Sequence, residues 1–131
     1  MYEGEYCDGK KNGHGKLNFA DGSVYEGEFR MNEISGYGKY KWKDGKHYEG
    51  QWLNNKMQGK GTLCWPEGKS YAGEFVEDRR HGRGKFRWTD GREYDGEWME
   101  GKQHGVGIYK NLNGDEKKGQ WVDGKRVKWF D

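Results

Sequence analysis

Residues Tyr25 to Phe29 read YEGEF, and the same five-residue pattern stands at Tyr2 (YEGEY), Tyr48 (YEGQW), Tyr71 (YAGEF) and Tyr94 (YDGEW). The five tyrosines lie 23 residues apart, without one insertion or deletion. Numbering each unit from its tyrosine, five complete units cover residues 2–116 and a partial sixth covers 117–131. All 24 glycines then fall at positions 3, 8, 12, 14 and 21 of the unit. A fixed period of this length marks an array whose units are too small to bury their own apolar face and become stable by stacking on neighbours. The expectation is one domain, residues 1–131, with 117–131 as a capping remnant.

Inside the unit the period is two. Positions 1, 3 and 5 carry tyrosine, glycine and an aromatic such as Phe29, Trp52 or Trp98, while positions 2 and 4 are mostly acidic. Positions 14, 16 and 18 carry glycine, then Leu17, Tyr40, Leu63, Phe86 or Tyr109, then Phe19, Trp42, Trp65 or Trp88, with largely basic residues between, such as Lys39 with Lys41 and Lys85 with Arg87. Such alternation predicts two short strands with one apolar and one wet face. Position 7 to 9 sequences such as MNE, NNK and EGK, and the Asp-Gly, Glu-Gly or Asn-Gly pairs at positions 20 and 21, supply tight turns. The unit is therefore a β-hairpin. The chain is expected to be all-β: an elongated, twisted single-layer antiparallel meander of ten or eleven strands. Glycine within a strand costs roughly 0.5–1 kcal/mol against alanine, so the glycines at positions 3 and 14 are read as room for rings to lie over the backbone.

Composition agrees with this economy. Hydrophobic residues make up 31% of the 131-residue chain, and aromatics alone make up 16%. Rings must therefore build the core that Leu, Ile and Val usually build. Charged residues reach 35% but nearly cancel, leaving +2, which predicts no strong field and makes nucleic acid an unexpected partner. No apolar run approaches 18 residues and no charged-then-apolar leader opens the chain, so neither a membrane span nor a signal peptide is expected. Cys7 and Cys64 are read as free thiols in a reducing compartment.

Candidate catalytic and ligand motifs fall to structural explanations. Gly68-Lys69-Ser70 resembles the end of a phosphate-binding loop, but Leu63 stands where its first glycine belongs, and the segments GHGK (13–16) and GKGT (59–62), which open on the position-12 glycine, are read as strand starts. His81 and His104 share position 11 without the further ligands of a tetrahedral metal set. Recurrent acids such as Glu5, Glu28, Glu74 and Glu97 are read as solvated strand residues, because catalysis needs one asymmetric pocket and a translational repeat supplies the same face five times. No cofactor and no enzymatic activity are expected. The basic run through Arg79, Arg80, Arg83, Lys85 and Arg87 is diluted by Glu77, Asp78 and Asp90, which favours a solvated surface.

The unit Tyr-x-Gly-x-aromatic, turn, Gly-x-Gly-x-aliphatic or aromatic, repeated every 23 residues over the whole chain, resembles the MORN repeat (membrane occupation and recognition nexus). The resemblance implies a twisted single-layer sheet with an aromatic groove, a scaffold that binds partner proteins as peptides or helices, homodimers in several members, and cytoskeletal or membrane-cortex settings in the cytoplasm. The family name records a proposal of phospholipid binding, and its repeats also occur beside enzyme domains. Residues at the C-terminal end depart from the pattern: Asn111 replaces the position-18 aromatic, Lys117 replaces the tyrosine, and Lys128 and Phe130 replace the paired glycines.

The aromatic face has no second layer to cover it, and exposed apolar strips of this size mark interaction sites. Tyr25, Trp42, Tyr48, Trp52, Trp65, Tyr71, Trp88, Tyr94 and Trp98 are the expected partner-binding residues. The expected function is a non-enzymatic interaction scaffold, self-association included. The alternative is a peripheral module for anionic phospholipid, or the targeting module of a larger enzyme.

Overall fold

The computed structural model describes residues 1–130. Twelve strands follow one another: β1 (Tyr2–Cys7), β2 (Lys10–Asn18), β3 (Val24–Arg30), β4 (Glu33–Lys41), β5 (His47–Leu53), β6 (Lys56–Cys64), β7 (Ser70–Val76), β8 (Arg79–Arg87), β9 (Glu93–Met99), β10 (Lys102–Lys110), β11 (Glu116–Val122) and β12 (Lys125–Trp129). They form one open antiparallel sheet in strict chain order. At about 4.8 Å per strand the sheet extends about 50 Å. The count exceeds the expected ten or eleven because the C-terminal residues also fold back. Trp129 pairs with Gly119 and fills the place that the missing glycine and tyrosine leave.

Two turn types close the hairpins. After the first strand of a unit come two residues with positive φ, Met31 (47°) and Asn32 (72°) in the second unit, Glu77 (48°) and Asp78 (70°) in the fourth. This is the backbone whose twist suits a two-residue hairpin. Each such turn also clasps the unit before it. The Asn32, Asn55 and Asp78 amides donate to the carbonyls of Lys11, Ile34 and Met57, and their side-chain oxygens accept the Lys11, Ile34 and Met57 amides in return.

The core is a row of tyrosines over paired glycines. Gly27 faces Gly38, Gly50 faces Gly61, Gly73 faces Gly84 and Gly96 faces Gly107. A Cβ built at Gly61 would overlap the Tyr48 ring, and one at Gly50 would strike the Gly61 backbone. Beyond each pair the register slips: Phe29 meets Ile34, so Glu28 faces a three-residue bulge centred on Gly36, whose φ is +104°. A bulge breaks the ladder and leaves backbone groups without partners. The tyrosine hydroxyl donates to the position-4 carbonyl, from Tyr25 to Glu28 and from Tyr48 to Gln51 at 2.8 Å each, and from Tyr71 to Glu74 at 2.9 Å. The side chain of that same residue accepts the amide just past the bulge glycine, as Gln51 does from Lys60 at 2.8 Å and Glu74 from Arg83 at 2.7 Å.

These contacts change two readings. The glycines at position 12 lie at bulges inside the second strand rather than at its start, and the position-4 acids fasten the backbone as well as meeting water.

Replacing Gly61 by alanine should cost about 3 kcal/mol in chemical denaturation, at the upper end of overpacking effects, since ring and backbone must both move. Gly91→Ala, at a positive φ but in open space, should cost about 1–2 kcal/mol. Glu74→Gln should be nearly neutral, because Gln51 already fills that role, whereas Glu74→Ala should lose about 1 kcal/mol.

Candidate interaction face

Rings at positions 1 and 5 interlock along the sheet. Tyr25 stands edge-on to Phe29 (5.1 Å, 85°) and to Trp52 of the next unit (5.8 Å, 87°); Tyr48 repeats this with Trp52 and Phe75, Tyr71 with Phe75 and Trp98, and Tyr94 with Trp98 and Trp121. Edge-to-face pairs of this kind add about 0.5–1.5 kcal/mol beyond burial. The indole N–H groups of Trp52 and Trp98 donate to the carbonyls of Gly38 and Gly84. The packing is complete: Tyr25, Tyr48, Tyr71 and Tyr94 are 0% exposed, and Trp52 and Trp98 are 6% exposed.

Six of the nine expected binding residues are thus core. The glycine pairs let each tyrosine sink to the backbone, and the flanking position-5 rings seal it from water. Trp42, Trp65 and Trp88 differ. They stand at position 18, where the strand ends, and remain half-buried. Trp42 leans on Tyr40 (4.6 Å), while Trp65 and Trp88 lean on Phe86 (5.9 and 4.9 Å). Their loops are closed by the Trp amide donating to the carbonyl four residues on, at Lys46, Lys69 and Arg92, and by the Gly45, Gly68 and Gly91 amides donating back to the Trp carbonyls. Loop closure places a cation over each indole: Lys46 Nζ at 4.5 Å from the Trp42 centroid, Lys69 Nζ at 5.2 Å from Trp65, and Arg92 Cζ at 5.4 Å from Trp88.

A further cation lies inside the face. Position 10 holds buried Ile34 and Met57 in the second and third units, but Arg80 in the fourth. Its guanidinium sits 4.8 Å from the Trp98 centroid and 5.5 Å from Phe86, and donates to the Gly101 carbonyl at 2.9 Å. Burial pulls its pKa below the ordinary value, opposed by Tyr71, yet a guanidinium stays protonated. Among the described residues it has no carboxylate partner.

The expected set of aromatics therefore omitted Lys46, Lys69, Arg92 and Arg80. The signal for the first three was present as a basic residue four places after each tryptophan. That for Arg80 was a charge at a position the two preceding units fill with Ile34 and Met57.

Together these features define a single-layer β-repeat array that carries one sealed aromatic spine and a partly open tryptophan and cation rim. Residues 2–24, 25–47, 48–70, 71–91, 94–116 and 118–127 each match the sequence profile described as MORN repeat. The chain belongs to the MORN-repeat family. No curated protein sequence matches it. Among solved structures it is similar to the TCP domain of SAS-4 (dCPAP) in complex with a proline-rich motif of Ana2 (dSTIL) of Drosophila melanogaster. That similarity has a TM-score of 0.46 and 12% identity, over 91% of this chain and 73% of that one.

The sealed tyrosines predict alkaline lability. Burial, aided by the Glu97 charge, pushes the Tyr94 phenol up to about 12, and burial likewise raises Tyr25, Tyr48 and Tyr71. An unfolded tyrosine releases its proton near pH 10. Stability is therefore fully present below about pH 10 and falls as the pH climbs towards 12, where the unfolded chain has lost protons that the native state still holds. Phenolate absorbance from these four residues should appear together with loss of near-ultraviolet circular dichroism. Their ionisation near pH 10 in a folded protein would contradict the burial.

Proposed function

We propose that the chain is a non-enzymatic interaction scaffold whose aromatic face receives, as a groove, a peptide or helix of a partner protein. The observation that carries this reading is the row Trp42, Trp65 and Trp88, half-open, one per unit, each paired with a cation. Tryptophan and arginine are the residues most enriched among those that dominate binding energy. Of the nine aromatics expected to bind, these three make the contact. Tyr25, Tyr48, Tyr71, Tyr94, Trp52 and Trp98 hold them in place. Arg80 sets the polarity: a desolvated cation without an acid of its own selects a partner that brings a carboxylate.

Phospholipid binding is the second reading, because indoles beside Lys46, Lys69 and Arg92 are also the composition of a membrane-interface belt. Self-association and a cytoplasmic, cytoskeletal or membrane-cortex setting belong to the scaffold reading as proposals.

The test replaces Trp65 and Trp88 by alanine and, separately, Arg80 by methionine, following the residue that the third unit uses. Against a partner recovered with the native protein, the tryptophan variant should bind at least about 30-fold more weakly, as expected for hot-spot residues. Arg80→Met should weaken binding while leaving the fold unchanged or firmer. Unaltered affinity in the folded tryptophan variant would refute the face as the binding site. Salt-sensitive pelleting on anionic but not neutral vesicles, lost in the same variant, would favour phospholipid.

A further inference from the structure

The reverse face carries a second surface, distinct from the aromatic one. Position 6 is the last residue before each two-residue turn, and there Leu53, Val76, Met99 and Val122 point to the reverse face, 50%, 40%, 47% and 41% exposed. Directly across each hairpin stand Lys56, Arg79, Lys102 and Lys125. Eight consecutive strands, β5 to β12, thus contribute one residue each to a row that alternates apolar and basic. The first two units break it, with Arg30 opposite Glu33 and Cys7 opposite Lys10. Among the described residues none of the four cations is in an ion pair. An open cleft of about 320 Å³ is lined by Lys56, Val76, Glu77, Arg79, His81 and Glu100.

The spacing of this row selects a shape. Strands about 4.8 Å apart put the apolar side chains about 10 Å apart and the four of them over about 30 Å. An α-helix rises 1.5 Å per residue, so one heptad covers about 10.5 Å and half a heptad about 5 Å. Laid across the strands, a helix meets the row in step: residues i and i+7 over successive apolar side chains, residues i+3 or i+4 over the cations between them. An extended peptide does not keep step, since same-face residues recur at about 6.6 Å. A flat anionic bilayer would bring its charge against exposed Glu77, Glu100 and Asp123, which follow the apolar residues in the turns. A helix can place basic residues on that flank.

We propose that the row from Leu53 to Lys125 docks an acidic amphipathic α-helix of a partner protein. That helix has an apolar residue once per heptad, a carboxylate three or four residues later, and basic residues along the flank facing the turns. The surface is independent of the tryptophan rim, so one chain can hold two partners on opposite faces.

A synthetic helix of about four heptads with leucine at i and i+7 and glutamate at i+3 and i+4, labelled for fluorescence polarisation, is titrated into the whole protein. Saturable binding is expected, weakened at least tenfold by Val76→Thr with Met99→Gln, weakened also by Arg79→Gln with Lys102→Gln and by added salt, and unchanged by Trp65→Ala. Circular dichroism confirms that the variants are folded, as expected for the exposed Val76, Arg79, Met99 and Lys102 and checked separately for the half-buried Trp65. Absence of saturable binding, equal binding of the same helix with lysine in place of glutamate, or loss of binding in Trp65→Ala would each overturn the proposal. So would phosphatidylserine vesicles that require Val76 and Met99 when the helix does not bind.

Discussion

A sheet one layer thick has no opposing layer to bury its side chains, and this protein meets that constraint by laying the tyrosine that opens each complete unit over a pair of facing glycines. The glycines are spacing as much as sequence: with a Cβ at Gly38 or Gly61 the ring could not reach the backbone. Having sunk there, the ring brings its hydroxyl to the carbonyl that the neighbouring bulge strips of a partner, as in Tyr25 to Glu28. The acid at that position then reaches across to the amide freed on the other strand. Tyrosine, glycine and glutamate thus solve one problem together, the burial of a ring beside a broken ladder. The bulge in turn sets the local register, and repetition of the register carries the pattern from β1 to β11.

Because the tyrosines serve as core, recognition falls to what the repeat does not fix. Along the aromatic face the position-1 and position-5 rings from Tyr25 to Trp121 are sealed, and the solvent meets position 18 with its cation from position 22. On the reverse face the regular acids and bases are interrupted by position 6, where the last four units carry Leu53, Val76, Met99 and Val122. Arg80 is a third departure, a charge where Ile34 and Met57 are buried. Strict positions hold the sheet together, while variable ones give each stretch of it a different surface.

The period and the glycine positions made most of the fold readable. Alternation placed the strands, turn dipeptides placed the hairpins, and the ring-bearing positions named one face. Register was not readable in this way. Nothing in YEGEF says that Glu28 faces three residues rather than one, so the acid looked like a solvated residue and the position-12 glycine like the start of a strand. Trp129 was similarly hidden, since its place opposite Gly119 follows from a shorter final hairpin that only the pairing reveals.

By itself, then, the sequence determined the repeat, the all-β class and the family, because a 23-residue period with aromatic and glycine alternation admits few other uses of the chain. Only the tertiary structure decided which rings are open. Tyr48 and Trp65 look alike as aromatics on one face, yet one is sealed between its neighbours' edges and the other stands at the strand's end under a lysine. That distinction arises from packing between units, which local pattern does not encode.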